Sequence, residues 1–212
     1  GLIRMYRQRG QAQKAFDQCV KLDATLEEKV PDLSKILKNE AAFHGSSRRV
    51  GADGLFISYD FSDSDQAADF EPLSSGTAAV EKGVFQLSSE DFSLWMLRNA
   101  EFDKEIDVEM TVTADADALI FAPFRTWDQK GYLLTLGLEG TELAKNEGEK
   151  VDSLTKNEKS KLPKGKEIQI RLLAKNGTFK VFLEGQETFA FSDASHTKGR
   201  LFLGVMKGTL TL

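Results

Sequence analysis

Apolar and polar residues alternate through Glu167–Asp193: Ile168, Ile170 and Leu172, then Phe179, Val181 and Leu183, then Phe189 and Phe191. A strand with one buried face gives this pattern, because successive side chains on a pleated backbone point to opposite sides. Asn176-Gly177 separates the first two runs and Glu184-Gly185 the next two. Asn-Gly readily takes the positive φ angles of a two-residue type I′ turn, so the stretch predicts consecutive hairpins. Arg200–Met206, after the loop Ser192–Gly199, predicts a fourth antiparallel strand in meander order. Upstream, Leu55–Phe61, Val80–Ser88, Ser93–Arg98, Glu105–Thr113, Ala118–Phe124 and Tyr132–Leu138 predict further short strands. Strands at this density with turn residues between them indicate a mainly β sandwich or jelly roll. Glu139–Lys166 is rich in Lys, Glu and Asn and is closed by Pro163 and Gly165, and it reads as a solvated, mobile excursion.

The start of the chain follows a different period. Leu2, Met5, Tyr6, Ala12, Ala15, Phe16, Cys19 and Val20 recur at three-and-four spacing, which predicts a helix over Leu2–Leu22 interrupted at Gly10. Arg4, Arg7, Arg9 and Lys14 give it a basic bias that reads as a solvated face. A second helix is expected over Leu26–Lys38, with Thr25 and Glu28 as a capping box and Pro31 as a kink. Glu40–Gly54 then carries linker signals. The expected organisation is a helical segment at 1–44, a linker at 45–54 and a β-sandwich domain at 55–212.

Composition narrows the function classes. The 212 residues carry a net charge of −5, whereas binding to nucleic acid needs a basic face, so nucleic acid is excluded as the main partner. With Cys19 the only cysteine, an internal disulfide is excluded, and no Cys/His cluster is present to hold zinc. No apolar run reaches membrane-spanning length, so a membrane enters only through a segment upstream of Gly1.

The strings YDFSD, GVFQLSS, FDKEIDVEMTV, LIFAPFRTWDQKGYLLTLG, PKGKEIQIRLLAKNGTFKVFLEGQETFAF and GRLFLGVMKGTLTL, in that order, resemble a concanavalin A-like lectin/glucanase domain over about Leu55–Leu212. Laminin G-like and sugar-hydrolase-associated modules belong to that group. The resemblance implies a concanavalin A-like antiparallel sandwich, with Gly208–Leu212 beginning a strand that returns to the first one. It also implies binding of a glycan or a partner protein, as a module of a larger exported or surface-attached protein. YRQRGQAQKAFDQCVKLD resembles part of a tetratricopeptide repeat, and such helices would serve oligomerisation or assembly.

Three residue sets are candidates for chemistry. Alternation puts Glu105, Asp107 and Glu109 on one face of a strand, and laminarinase- and lichenase-type hydrolases of this fold carry a similar E-x-D-x-E strand. That similarity implies a retaining endo-glycoside hydrolase, with Glu105 as nucleophile, Glu109 as acid/base and Asp107 tuning both. Retention needs carboxyls about 5–5.5 Å apart, while four strand residues separate backbones by roughly 13 Å. A sandwich strand with one wet face explains the same three acids without catalysis. The second set is Arg125, Trp127, Asp128, Gln129 and Tyr132, which combines flat aromatic faces with hydrogen-bonding groups, the usual mix of a ligand site. Trp95, alternating with Leu97, reads as core. The third set is Asp115 with Asp117, or Asp63 with Asp65, where hard oxygen ligands would take calcium as in laminin G-like relatives; acidic turn chemistry accounts for both pairs. No other cofactor is implied. His44 reads as an exposed loop histidine. Asp193, Ser195 and His196 are too close-set in one loop for a hydrolase triad. Binding leads; glycoside hydrolysis and a structural or assembly role compete with it.

Overall fold

The computed structural model of the chain describes residues 43–50, 54–98, 100–126 and 128–212. The helices expected over Leu2–Leu22 and Leu26–Lys38, with their tetratricopeptide-like string, lie outside the described residues. The chain divides into two compact units, Gly1–Asp69 and Phe70–Leu212.

In the first unit, β1 (Ser46–Val50) and β2 (Gly54–Ser58) form an antiparallel hairpin with Ser46 opposite Ser58, followed by a 3-10 turn at Ser64–Asp69. β1 occupies positions with the composition of a linker: the partner strand, not the residue types of Ser46–Val50, makes it β. The carboxylate of Asp69, 2% exposed, accepts from the His44 ring Nδ1 at 2.7 Å, the His44 backbone N–H at 2.7 Å and the Tyr59 hydroxyl at 2.9 Å. Burial and this neighbouring charge push the Tyr59 hydroxyl pKa well above its ordinary value. Gln66, also buried, accepts from the Phe61 N–H at 2.9 Å and donates to Asp60 at 2.8 Å. Both buried polar side chains are therefore satisfied, as burial demands.

The second unit contains, among the described residues, β3 (Phe70–Pro72), β4 (Thr77–Glu81), β5 (Val84–Leu97), β6 (Phe102–Asp103), β7 (Glu105–Arg125), β8 (Lys130–Gly137), β9 (Gly140–Glu147), β10 (Val151–Asn157), β11 (Glu167–Lys175), β12 (Thr178–Leu183), β13 (Gln186–Ser192) and β14 (Lys198–Thr211). All their ladders are antiparallel. This is the mainly β sandwich that the period-two runs predict. Its axis is β7, one strand where the sequence suggests two. The first half of β7 pairs with β11, from Glu105 opposite Lys175 to Thr113 opposite Glu167. Its second half lies between β14 and β8.

The hairpins β11–β12 and β12–β13 turn at Asn176-Gly177 and Glu184-Gly185 as expected, with φ of 48° and 77°, then 50° and 75°. Lys82-Gly83 makes a third such turn, φ 54° and 78°, inside what reads as one run, Val80–Ser88. β14 corrects the meander expectation: it crosses to pair with β5 and β7 rather than with β13. Two-residue turns force neighbours to pair, whereas the longer loop after β13 leaves the partner free. β14 ends beside the first long strand, where Phe85 and Leu212 exchange backbone hydrogen bonds at 3.0 and 2.8 Å. Glu139–Lys166 is likewise corrected. It holds β9 and β10, with Thr141, Leu143, Ala144 and Asn146 buried and Glu142 and Lys145 between them half-buried. A sheet edge with a wet face tolerates a charged composition, which is why the run mimics a loop.

Both faces of the sheet β5–β14–β7–β8 are apolar. One carries Trp95, Leu119, Phe121, Leu134, Leu203 and Val205; the other carries Leu94, Met96, Ile120, Ala122 and Phe202, with Leu133 and Met206 packed against them. Trp95 is core, 0% exposed, and its indole Nε1 has no hydrogen-bond partner among the described residues.

Candidate functional site

The three carboxylates of β7 lie on its exposed face and each meets a side chain of β11. Glu105 pairs with Lys175 at 2.8 Å, Asp107 accepts two hydrogen bonds from the Arg171 guanidinium at 2.8 and 2.6 Å, and Glu109 accepts from the Gln169 amide at 2.6 Å. The register explains the pairing: Glu109 stands opposite Arg171, and Arg171 reaches diagonally to Asp107. Arg171 also stacks on Phe182 of β12, 5.8 Å from the ring centre. The arrangement is a charge-paired outer sheet surface.

The turn that closes β7 onto β8 carries the second candidate set. Thr126 N–H donates to the Lys130 carbonyl at 2.8 Å and Gln129 N–H to the Thr126 carbonyl at 3.1 Å, a tight turn with Gln129 at φ 67°. Asp128 accepts from the Thr126 hydroxyl and pairs with Lys130 at 3.0 Å. Hydrogen bonds from Thr126 and Lys130 lower the pKa of Asp128. Trp127 lies outside the described residues.

Just before this turn the β7–β14 ladder slips: Phe202 faces Ala122 and Arg200 faces Arg125, so three residues of β7 answer two of β14. The extra residue is taken up around Phe124, which is fully buried at φ 55°. Gly131 and Gly199 pass so close that a Cβ on either would lie 2.6–2.7 Å from the Phe124 backbone. A bulge shifts side-chain parity. Here it turns Arg125 onto the Ala122 and Phe202 side, its guanidinium 5.8 Å from the Phe202 ring centre and 3.4 Å from the Gln129 side-chain oxygen. Burial lowers the Arg125 pKa.

Tyr132, two residues into β8, turns inward. It is 0% exposed, packs on Phe179 of β12 at 4.5 Å, and donates to Asp193 at 2.5 Å. The His196 N–H donates to the same hydroxyl at 3.1 Å, the His196 ring stands edge-on to Tyr132, and its Nε2 lies 3.0 Å from Glu147. Lys145, opposite Tyr132 on β9, lies 3.9 Å from Glu147, 4.0 Å from Asp193 and 3.4 Å from the Ser195 hydroxyl. Burial works against ionisation of Asp193, but hydrogen bonds from Tyr132 and Ser195 and the charge of Lys145 outweigh it and hold the pKa at about 2. Burial, reinforced by the hydrogen bond to Asp193, raises Tyr132 to about 12. Asp193, Ser195 and His196 thus come together, as the clasp of the β13–β14 loop on β8 and β9. No motif in the loop announces it; the period-two placement of Lys145 and Glu147 on one strand face was the available signal.

The calcium candidates do not converge. Asp115 pairs with Lys164 at 3.3 Å, and Asp63 accepts from the Asp65 N–H at 3.0 Å in a local turn. Among the described residues no three His, Cys, Asp or Glu side chains are placed to hold a metal ion. The donor set therefore does not fit calcium.

No protein-family model and no curated protein sequence matches the chain. Solved structures do. The carbohydrate binding module CBM66 from Bacillus subtilis is similar with a TM-score of 0.58 and 18% identity, over 67% of this chain and 90% of that one. A Bacillus subtilis protein of unknown function with a galectin-like fold gives 0.54 and 12% identity, over 72% and 90%. The potassium-bound carbohydrate recognition domain of Emp46p gives 0.52 and 11% identity, over 73% and 91%. At these identities the likeness is one of fold: the antiparallel sandwich of lectin and carbohydrate-binding domains.

Proposed function

We propose that this chain is a non-catalytic glycan-binding module of a larger exported or surface-associated protein, with its contact surface at the β7–β8 turn. The observation that carries the reading is the bulge at Phe124. It spends backbone strain to bring Arg125 round beside Gln129, above an aromatic ring and next to Asp128. Strained backbone persists where the surrounding structure holds it, and such positions concentrate at ligand sites. Guanidinium, amide and carboxylate groups presented on a short turn are what sugar hydroxyls bond to, and Trp127, adjacent in sequence, is of the residue type on which sugar rings stack. Tyr132 supports the turn from the sheet rather than meeting ligand. The fold likeness to a carbohydrate binding module and a carbohydrate recognition domain is in keeping with this reading.

The hydrolase alternative draws less support. Its three carboxylates are engaged with Lys175, Arg171 and Gln169 on an exposed sheet surface, where an acid/base carboxyl needs surroundings that keep it protonated. The test is retention of the protein on a panel of neutral and acidic polysaccharides, with release of reducing ends followed in parallel. Retention without release, weakened about tenfold or more by Trp127→Ala and Gln129→Ala, is expected. Failure to bind any polysaccharide would overturn the reading in favour of a protein-binding or assembly role.

A further inference from the structure

Leu143, Lys145 and Glu147 make one row along β9, and Leu134, Tyr132 and Lys130 stand opposite them on β8. Leu143, Leu134 and Tyr132 are buried, so the row faces the core. Lys145 and Glu147 continue it to the end of the sandwich where β7 turns into β8. An ammonium and a carboxylate thus stand where apolar side chains would close the row.

Lys145 is the most buried of the ion-paired lysines among the described residues, its side chain 22% exposed, yet its contacts are loose. Its ammonium lies 3.4 Å from the Ser195 hydroxyl, 3.9 Å from Glu147 and 4.0 Å from Asp193. The more exposed Lys150 and Lys175 meet their carboxylates at 2.8 Å. Asp152, opposite Lys145 on β10, is engaged by Lys150. An ammonium that gives up water without close acceptors costs free energy.

The two facing carboxylates each leave one oxygen open. On Asp193, Oδ1 accepts from the Tyr132 hydroxyl and the Ser195 N–H, while Oδ2 has only Lys145, at 4.0 Å. On Glu147, Oε1 meets the His196 Nε2 at 3.0 Å, and Oε2 has no partner among the described residues. A hydroxyl donates one hydrogen bond and accepts others. Hydroxyls on neighbouring ring carbons therefore suit an ammonium flanked by carboxylates, each accepting from the cation and donating to an acid. The cluster also adjoins the β7–β8 turn: Lys130 stands opposite Glu147, and a Cβ on Gly148 would lie 3.8 Å from the Asp128 carbonyl oxygen.

We propose that Lys145, Glu147 and Asp193 form a second sugar subsite, which takes a vicinal diol of the glycan held at the β7–β8 turn. This rests on the glycan-binding reading. Lys145 donates to both hydroxyl oxygens, and Glu147 Oε2 and Asp193 Oδ2 accept from the hydroxyls. Tyr132 and His196 are positioning residues, since each holds a carboxylate by its other oxygen.

The experiment is titration of the full chain with cellohexaose, 1,4-linked mannohexaose and laminarihexaose. The first two carry a vicinal diol on every internal ring; laminarihexaose, linked through the hydroxyl between its neighbours, carries none there. Native protein is set beside Lys145→Met and Glu147→Gln. The 1,4-linked probes are expected to bind about tenfold more tightly than laminarihexaose, and each variant should lose about tenfold on them alone, the worth of a hydrogen bond to a charged group. Equal binding of all three probes, unchanged in the variants, would overturn the diol subsite and leave glycan binding intact. So would an equal loss on all three, which marks a structural role for Lys145. No binding of any probe would overturn both readings. Thermal melts guard against loss by unfolding: Glu147→Gln that melts with native protein and binds every probe as tightly sinks the proposal, even where Lys145→Met fails to fold.

Discussion

The Tyr132 hydroxyl lies 2.5 Å from the carboxylate of Asp193, 61 residues along the chain, and so ties β8 to the loop that carries the chain from β13 to β14. The bond is made by groups with opposite shifts, the phenol raised to about 12 and the carboxylate held at about 2, so each keeps its bonding form over most of the pH scale. Tyr132→Phe leaves the ring on Phe179 but removes one hydrogen bond of the Asp193 carboxylate, which keeps that from the Ser195 N–H, and takes the acceptor from the His196 N–H, which should cost about 1–2 kcal/mol at neutral pH. The sign of the pH dependence follows from the two shifts. A raised phenol contributes stability that is complete below its ordinary pKa of about 10 and is lost as pH rises to about 12. A lowered carboxylate contributes stability that is present above its ordinary value of about 4 and is lost as pH falls toward about 2. Urea melts across pH should show the native protein converging on Tyr132→Phe at both limits. A gap that stays constant with pH would mean the bond carries none of the difference.

Gly208 and Gly185 both have positive φ, 137° and 75°, yet they differ in what surrounds them. A Cβ on Gly208 would sit 2.0 Å from the Asp115 carbonyl oxygen, whereas a Cβ on Gly185 meets nothing within 4 Å. Gly185→Ala should therefore cost only the left-handed backbone strain, about 1 kcal/mol. Gly208→Ala must in addition push β14 off β7 and should cost more than about 3 kcal/mol. Equal melting temperatures for the two variants would show that the β14–β7 contact yields more than this geometry allows.

Much of the fold is written in periods and turns. Asn176-Gly177 and Glu184-Gly185 specify hairpins locally, because a two-residue turn leaves one way for the flanking strands to pair. β9 and β10 are hidden, since Lys145, Glu147, Lys150 and Asp152 give a sheet edge the composition of a loop. The partner of β14 is a non-local matter, decided by Leu203 and Val205 finding Trp95 and Leu119 across long loops. At the candidate site, sequence singles out Arg125 and Gln129 by type but not the bulge that orients Arg125. Phe124 carries no sequence mark for a positive φ, and only the close approach of Gly131 and Gly199 explains it. Tyr132 is read as a ligand contact because an aromatic near a loop looks the same whether it turns out or in.

The paired acids of β7 predict a mild phenotype. Asp107 and Arg171 are 38% and 46% exposed, so their ion pair is well screened and Asp107→Asn should cost less than about 1 kcal/mol. Glu105→Gln, which breaks the pair with Lys175, should leave polysaccharide retention unchanged. Incubation of native protein with β-glucans should release no reducing ends. Release that disappears in Glu105→Gln would convert this surface into a hydrolase site and displace the binding reading.

Arg125 sets binding against stability. A partly buried guanidinium with no described carboxylate partner gives up hydration without a Coulombic return. Arg125→Gln removes the charge and keeps much of the side-chain length over Phe202, so it should raise the stability of the free protein by about 1 kcal/mol. A bound polysaccharide should reverse the order, because a ligand that binds only the folded native protein stabilises it by mass action. Thermal melts with and without polysaccharide read both effects together. Should Arg125→Gln prove less stable than native protein in the absence of polysaccharide, the guanidinium is compensated from within the chain, and the strain at Phe124 serves packing rather than a ligand.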